Sequence, residues 1–309
     1  MDNMIVLGNG FDIDLGLKTS FKRFVESFEF LSIPDIPLIK KIKERSVANW
    51  YDLEGLLRNE LIAYSLSPSV ECAEDVNNAW RMITKAWGRY LPELTDLDII
   101  SINKNSCAYY LLLVDEAHES SWYTFNYTDP WYLCKMHSQK KAVYIHNENI
   151  PLDLAKHHGF MHQTPTNLII GVDNMVPPCI SSSTHLSHII KTKNPNFPKG
   201  MKENVVERLF TADNVVIFGQ SLGITDSDYF KPYFYGIIEG KIKRQNVFIV
   251  TYNEESFTNI YSNMQEYGIK IEDINKANVD VHLVYTIKGS QSMEFIQMLT
   301  TLYGCYFKN

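Results

Sequence analysis

The sequence predicts an α/β fold built on a doubly wound, mostly parallel sheet, with a helical insertion after the first βα unit. Short runs rich in Val, Ile, Tyr and Phe recur along the 309 residues, and several are apolar almost throughout. Such runs are typical of strands buried on both faces of a parallel sheet. Segments with helical periodicity separate many of these runs, and strand–helix alternation of this kind indicates a Rossmann-like sheet.

The predicted elements follow from this alternation in chain order. The strand-like runs lie at residues 5–7, 122–125, 142–145, 168–172, 215–218, 247–251 and 281–285. Helical patterns lie at residues 17–31, 200–211, 226–240, 253–267 and 290–303. The stretches 147–166 and 173–199 are rich in turn-forming residues, and we expect them to form loops or a mobile flap.

The alternation is interrupted between approximately residues 32 and 120, where successive stretches have helical patterns. We therefore expect a single α/β domain over residues 1–309 that carries a helical insertion at about 32–120. Doubly wound sheets bind ligands outside the carboxyl ends of their strands. An insertion at this point of the chain is placed to cover such a site.

The composition excludes several classes of partner. Lys and Arg number 29 against 36 Asp and Glu, so the formal net charge is −7 and the pI is about 5.7. Because nucleic acids and anionic membranes attract basic surfaces, we expect neither general nucleic-acid binding nor membrane association. No apolar run reaches the ~18 residues of a membrane span, and the five cysteines form no C-x-x-C pair. These features predict a reduced, cytoplasmic protein.

The first motif, GNGFD at residues 8–12, lies between the first predicted strand and a helical stretch. Glycines at such a turn let the backbone approach a ligand, and the following N–H groups can bind phosphate. The P-loop lysine is absent, and Ile13 replaces the third glycine of the dinucleotide-binding fingerprint, so a purely structural turn is the alternative. Asp12 and Asp14 would repel a phosphate if they pointed at it, so at least one is expected to face sugar hydroxyls or to cap the helix that follows the turn.

Polar side chains also follow two further predicted strands. Thr124 and Asn126 end one run, in TFNYT, where an asparagine can orient a water or a carboxamide because it both donates and accepts. An Asn-turn leading into Asp129 and Pro130 is the alternative. His146 ends the next run, in YIH, where a histidine can act as a general base near neutral pH. A histidine that only satisfies a local hydrogen bond is the alternative there.

The fourth motif, GQSLG at residues 219–223, follows a strand and precedes a helix. It fits the G-x-S-x-G pattern of α/β-hydrolases, in which an acid, here Asp273 or Asp280, and then a histidine, here His282, follow the serine. His282 lies inside a predicted strand, whereas a catalytic histidine needs a loop that reaches the serine. We therefore interpret Ser221 as a group beside a bound ribose, with a serine hydrolase as the alternative.

Two histidine pairs have the spacing of metal ligands. His158 and His162 are four residues apart, and His185 and His188 are three apart. No cysteine or carboxylate stands close to them in the pattern, so we expect no metal.

Taken together, the motifs resemble those of the AbiH family of bacteriophage abortive-infection proteins. The resemblance rests on VLGNGFDIDLGLKTSFKRF near the start, NWYDLE in the predicted insertion, and then TFNYT, YIH, LIIGVD and IFGQSLGITDSDYF. These segments are spread in order from residue 5 to about residue 230. The resemblance implies a role in phage defence.

That family in turn resembles sirtuin-type NAD-binding domains. The separation of GNG from the GL at 16–17 is similar to that in the sirtuin glycine loop, TFN at 124–126 is similar to the T-x-N motif, and GQS at 219–221 is similar to the segment near the cofactor ribose. The catalytic histidine of sirtuins precedes a glycine, whereas Asn147 follows His146. The paired C-x-x-C zinc module of deacetylating sirtuins has no counterpart, so the resemblance does not imply a peptide deacetylase.

The resemblance implies a nucleotide-binding protein, and together with the motifs it predicts an NAD glycohydrolase that releases nicotinamide. NAD is expected as substrate or ligand, with ADP-ribose or another nucleotide as alternatives. The predicted catalytic residues are Asn126, which would position a water, and His146, the base. The predicted nucleotide-binding residues are Gly8, Asn9, Gly10, Phe11, Asp12, Thr124, Gly219, Ser221 and Asp226. The alternative is a non-catalytic nucleotide-sensing module that acts through a partner or a homo-oligomer.

Overall fold

The protein is centred on one parallel sheet. A computed structural model describes residues 1–45, 53–67, 69–94, 101–136, 142–145, 169–173, 176–195, 197–242, 244–277 and 279–304. The strands found there are β1 Asn3–Leu7, β2 Ser120–Thr124, β3 Val143–Tyr144, β4 Asn214–Phe218, β5 Gln245–Thr251 and β6 Val279–Tyr285. They pair in the order β3–β2–β1–β4–β5–β6, and every pair is parallel. The predicted α/β fold with a parallel sheet is confirmed.

This strand order creates a switch point between β1 and β4. The chain passes from β1 to β2 on one side of the pair and from β4 to β5 on the other. In sheets of this order the two connections diverge, and a crevice opens outside the carboxyl ends of the two central strands. The fold therefore places the switch point of the sheet directly after Leu7 and Phe218.

An asparagine ladder marks the opposite, amino edge of the sheet. Asn3, Asn214 and Asn246 stand in register on β1, β4 and β5. Asn214 Nδ2 donates to Asn3 Oδ1 at 2.7 Å, and Asn246 Nδ2 donates to Asn214 Oδ1 at 2.7 Å. Because a slip of one strand would leave buried amides without partners, the ladder favours a single register.

The helices divide between two units of the chain. The sheet unit comprises Met1–Leu17, Ser101–Ile145 and Gly200–Asn309, and the helical unit comprises Lys18–Ile100 and His146–Lys199. Helices of the sheet unit are α1 Asn9–Asp14, α7 Cys107–Asp115, α8 Pro130–Leu133, α10 Met201–Thr211, α11 Ser227–Ile238, α12 Glu254–Glu266, α13 Ile271–Ile274 and α14 Met293–Tyr303. Those of the helical unit are α2 Phe21–Val25, α3 Phe28–Leu31, α4 Pro37–Arg45, α5 Leu53–Leu66, α6 Val70–Leu94 and α9 Pro178–Ser181. The prediction of one domain with an insertion at about 32–120 stays a prediction.

Short polar residues begin many of these helices. A side-chain oxygen at the N-cap accepts from a backbone N–H of the first turn, which has no partner inside the helix. The N-caps that do so are Ser20, Ser27, Ser106, Asp129, Asn253 and Ser292.

Two predicted elements differ from the structure. The predicted helix at 17–31 is two short helices, α2 and α3, because Ser20 and Ser27 each cap a new start. The predicted strand at 168–172 is wrong for residues 169–172, where the backbone forms only an isolated bridge between Val172 and Ile190. This run is apolar and buried, but it joins no strand of the sheet. Within the described ranges, no helix combines the length and apolar character that crossing a membrane requires.

Candidate functional site

Three of the predicted motifs meet at the carboxyl edge of the sheet. Leu7 of β1 is in register with Thr124 of β2 and with Phe218 of β4, so the three strands end level with one another. The GNGFD, TFNYT and GQSLG segments begin directly after these three residues or at them. The structure thus brings together motifs that are more than 90 residues apart in the chain, at the switch point of the sheet.

The glycines of the first and fourth motifs are in backbone contact with each other. Gly10 N donates to Gly219 O at 2.8 Å, and Gly8 N donates to Phe218 O at 2.9 Å. A Cβ at Gly10 would lie 2.6 Å from Gly219 Cα, and one at Gly219 would lie 2.3 Å from Phe11 N. Gly219 also has a φ of +67°, which favours glycine. Close packing of the two segments therefore requires these glycines.

This contact occupies much of the opening turn. The N–H groups of Gly8, Gly10 and Phe11 all donate to protein carbonyls, and α1 is six residues long. In the described residues, the N–H groups of Asn9 and of residues 220–222 donate to no protein acceptor. Of the N–H groups of Gly8, Asn9, Gly10 and Phe11, only that of Asn9 thus remains available for the predicted contact with phosphate. Phe11 is a core residue, whose ring lies 5.0 Å from that of Phe218.

Asp12 lies in a buried hydrogen-bond network. Its exposed fraction is 2%, Asn126 Nδ2 donates to Oδ1 at 3.0 Å, and Thr128 Oγ1 donates to Oδ2 at 2.6 Å. Burial raises the pKa of Asp12 to about 7, although the hydrogen bonds from Thr128 and Asn126 act in the opposite direction and lower it. Both carboxylate oxygens therefore have protein donors, and the carboxyl group changes charge near neutral pH.

Asn126 connects this network to the first motif. Its Nδ2 also donates to Gly8 O at 3.0 Å, and its backbone N donates to Thr124 Oγ1 at 3.0 Å. Asn126 is 6% exposed and Thr124 is fully buried. Within the described part of the chain, no donor reaches Asn126 Oδ1. The carboxamide thus presents its oxygen as the group available to a ligand.

Other acidic and phenolic groups surround the network. Asp129 caps α8 by accepting from Tyr132 N at 3.1 Å, and burial raises its pKa. Tyr144 Oη donates to Thr128 O at 3.3 Å, and burial raises the pKa of this phenol well above its ordinary value. Burial and the two aspartates raise the pKa of Cys134 to about 12, so its thiol is not an activated nucleophile. A negatively charged edge of this kind favours a positively charged part of a ligand.

Asp14 has a different role from Asp12. Its Oδ2 accepts from Ala108 N at 2.8 Å, in the first turn of α7, and burial raises its pKa. Asp14 thus caps α7, a helix other than the one that follows the glycine turn.

The fourth motif forms a loop held by its own polar residues. Gln220 Nε2 donates to Asp226 Oδ2 at 3.1 Å, and both side chains are buried. Leu222 is buried with a φ of +49°, which is rare for a non-glycine residue and indicates that packing holds the loop in one shape. Ser221 is exposed, and its carbonyl accepts from Asn263 Nδ2 at 2.9 Å.

The arrangement of His282 does not support a serine hydrolase. His282 stands in the middle of β6, in register with Phe248, which is in register with Val216. Its ring stacks on Phe248 at 4.8 Å, on the face of the sheet. Ser221 lies five residues beyond Val216, past the end of β4 and separated from β6 by β5.

Several predicted residues lie outside the described residues. These are His146, His158 and His162, together with the first four residues of the NWYDLE segment. Of the other histidine pair, His185 is exposed, whereas His188 Nε2 hydrogen-bonds Asn77 Oδ1 at 3.0 Å and its ring packs on Trp80. Across the part of the chain that the structure describes, no three His, Cys, Asp or Glu side chains are grouped as metal ligands.

Sequence reasoning missed Thr128 and Gln220 at the sheet edge. Both lie inside motifs that were recognised, TFNYT and GQSLG. Thr128 is two residues after Asn126 and Gln220 directly precedes Ser221, and this proximity in the sequence could have identified them. In the helical unit it also missed the partner of Glu54, whose Oε2 lies 2.7 Å from Lys191 Nζ while Gly171 N donates to Oε1 at 3.1 Å. This ion pair is buried and supports the helical unit internally.

The comparisons with known proteins give one match. The family model described as bacteriophage abortive infection AbiH matches residues 4–252, which include all three segments at the sheet edge. No curated protein and no solved structure matches the chain.

Proposed function

Because the chain belongs to the AbiH family of bacteriophage abortive infection proteins, we propose that it acts in phage defence by binding NAD at the switch point and cleaving it to nicotinamide and ADP-ribose. The resemblance of its motifs to sirtuin-type NAD-binding domains supports this choice of nucleotide. The strand order supports it as well, since dinucleotides bind at this point of Rossmann sheets.

The observation that carries the proposal is the anchored carboxamide of Asn126. Its Nδ2 donates to Gly8 O and Asp12 Oδ1, so its oxygen remains available to accept a hydrogen bond from a ligand. Asn126 lies at the carboxyl edge of the sheet, where β1, β2 and β4 end in register. A fixed acceptor at this point can orient the O–H of a water or of a ribose hydroxyl.

In the proposed reaction, the bond between ribose C1′ and the nicotinamide nitrogen breaks, and nicotinamide leaves with the electron pair. A water oxygen forms the new bond to C1′, and one proton is released. Positive charge develops on the ribose, as in other glycoside cleavages, and the acidic edge formed by Asp12 and Asp129 stabilises it. Asn126 orients the water, and His146, through a ribose hydroxyl, takes the proton.

The pyrophosphate in this proposal lies away from the acidic edge. It meets the N–H groups of Asn9 and of residues 220–222, with Ser221 beside a ribose. In this proposal Asp12 supports Asn126 and does not contact the ribose, because both of its oxygens already accept from protein donors.

The test is to incubate the purified protein with NAD and measure free nicotinamide. Asn126→Ala should lower the rate by about 10²- to 10⁴-fold, as expected for losing a positioned polar group. Asn246→Ala is the matched control, since it removes an asparagine hydrogen bond at the amino edge of the same sheet. Turnover of Asn126→Ala at the wild-type rate would remove Asn126 from the mechanism. Thermal stabilisation by NAD or ADP-ribose without nicotinamide release would instead identify a nucleotide-sensing module.

A further inference from the structure

The orientation of the Asn126 side chain is determined by its neighbours. One end of the carboxamide, Nδ2, donates to two acceptors, Gly8 O and Asp12 Oδ1, each at 3.0 Å. Rotating the group by half a turn would bring its oxygen against these same two acceptors, where no hydrogen bond can form. The oxygen of Asn126 therefore points away from Asp12.

Asp12 is in turn fixed by a second donor. Thr128 Oγ1 donates to Oδ2 at 2.6 Å, while Asn126 holds Oδ1. Asn126 and Thr128 belong to one short segment after β2, whereas Asp12 comes from α1 after β1. The carboxylate thus joins the ends of two neighbouring strands, and it cannot turn without losing one of its two bonds.

We propose that Asp12 is a positioning residue of this site, which orients Asn126 so that the ligand group beside it must be a hydrogen-bond donor. This inference rests on the proposed function and deepens it, because it specifies the chemistry at the reacting end. A water or a ribose hydroxyl fits an acceptor, whereas a phosphate oxygen or another carbonyl does not.

The charge of Asp12 strengthens the effect. A hydrogen bond from an amide N–H to an ionised carboxylate is shorter and stronger than one to a neutral acceptor. It also polarises the amide, so that the oxygen at its other end becomes a better acceptor. A protonated Asp12 holds the same geometry with less polarisation, and the site then orients a donor less firmly.

Several titratable and charged groups face Asp12. From the described residues, they are Asp129 at the start of α8, Cys134 after α8, Tyr144 of β3 and, on the side of Cys134, Lys104. Burial raises the pKa of Cys134 to about 12 and that of Tyr144 well above its ordinary value, so both are neutral near pH 7.

The first experiment is the pH profile of nicotinamide release. The wild type should lose activity below about pH 7, where Asp12 becomes protonated. Asp12→Asn should lower kcat by roughly 10- to 100-fold, the loss usual when a partner that orients a functional group is removed, and it should lack this acid limb. Thr128→Val should move the limb to higher pH, because it removes a bond that stabilises the carboxylate.

Asp14→Asn is the matched control. Asp14 is a second aspartate of α1, half-buried and with a raised pKa, but it bonds Ala108 N of α7 and not Asn126. This variant should keep the wild-type profile. A wild-type rate and acid limb in Asp12→Asn, or an unmoved limb in Thr128→Val, would overturn the inference.

A second measurement does not depend on NAD cleavage. The ¹⁵N resonance of the Asn126 side-chain amide, identified by its loss in Asn126→Ser, should shift with a midpoint near pH 7. The shift should vanish in Asp12→Asn and move to higher pH in Thr128→Val. If the amide resonance shifts as Asp12 is titrated but no nicotinamide is released, the proposed reaction is wrong and the positioning role of Asp12 is supported. If nicotinamide is released but neither the amide nor the profile responds, the inference alone fails.

Discussion

At the scale of the residue, Asp12 shows how burial changes what an acidic side chain does. Its carboxyl group is 2% exposed and accepts two hydrogen bonds, yet removal from water outweighs them and raises its pKa to about 7. At pH values between the unfolded and the folded pKa, the folded protein keeps a proton on Asp12 that the unfolded chain has already released. The charge that serves Asn126 therefore costs stability at neutral and higher pH.

Asp12→Asn should stabilise the protein at pH 8 more than at pH 5. Because the folded pKa is above the unfolded one, the stability that Asp12 contributes is complete below the ordinary pKa of 3.8 and is lost progressively as the pH rises from there through 7. A pKa of about 7 in place of the ordinary value corresponds to ~4 kcal/mol between the two limits. The melting temperatures of variant and wild type at pH 5 and pH 8 measure the part of this difference that lies between these two pH values.

Asp2→Asn is the control of opposite sign. Arg208 hydrogen-bonds both oxygens of Asp2, at 2.9 and 2.8 Å, and lowers its pKa. The stability that Asp2 contributes is present above its unfolded pKa, so its replacement should lower the melting temperature at pH 8 and have little effect at strongly acid pH. An Asp12→Asn effect that is equal at both pH values would contradict the buried-charge account.

At the scale of the element, the contact between the turn after β1 and the loop after β4 fixes the carboxyl edge of the sheet at its switch point. The two segments approach backbone to backbone, which only glycine allows at Gly10 and Gly219. The Asp12 network then ties the same turn to the segment after β2. Three strand ends are joined in this way, and the asparagine ladder keeps β1, β4 and β5 in register at the other edge.

Gly10→Ala should destabilise the protein despite its helical position. Alanine is favoured over glycine inside a helix by about 1 kcal/mol, but its Cβ would lie 2.6 Å from Gly219 Cα, a backbone atom. Forcing the two segments apart should cost about 1–3 kcal/mol in net unfolding free energy, measured by urea denaturation.

Gly240→Ala provides the comparison for this contact. A Cβ there meets nothing within 4 Å, and the only penalty comes from its φ of +68°. A loss of about 1 kcal/mol is expected from that conformation alone. If Gly10→Ala proved more stable than the wild type, the glycine contact would not be the reason for the motif.

At the scale of the whole molecule, a parallel sheet with a switch point is joined in one chain to a separate helical unit. The net charge of −7 and the acidic edge around Asp12 suit a substrate whose reacting end is positively charged, as the nicotinamide ring of NAD is. An abortive-infection protein that consumed NAD would halt the infected cell before the phage is released.

In bacteria that express the wild-type protein and are infected with a phage it restricts, the NAD content should fall before lysis. Asn126→Ala should leave the NAD content unchanged and restore phage production, whereas Asn246→Ala should behave as the wild type does. Protection by Asn126→Ala with NAD intact would show that defence does not proceed through this site.

Much of the fold could be predicted because it depends on local patterns. Apolar runs and helical periodicity report burial and element type within about ten residues, and they located the strands that form the sheet. They did not show whether a run pairs, so residues 169–172 were predicted as a strand although only Val172 bridges to Ile190. Ser20 and Ser27, as N-caps, carried the signal that the predicted helix at 17–31 is interrupted.

The sequence by itself determined the fold class, the family and which segments carry polar chemistry after a strand. Only the tertiary structure decided the strand order, the contact of Gly10 with Gly219, and the burial of Asp12 between Asn126 and Thr128. The physical reason is separation along the chain, which is 114 residues for Asp12 and Asn126. Desolvation and hydrogen bonding depend on which distant segments pack together, and no local periodicity records that choice.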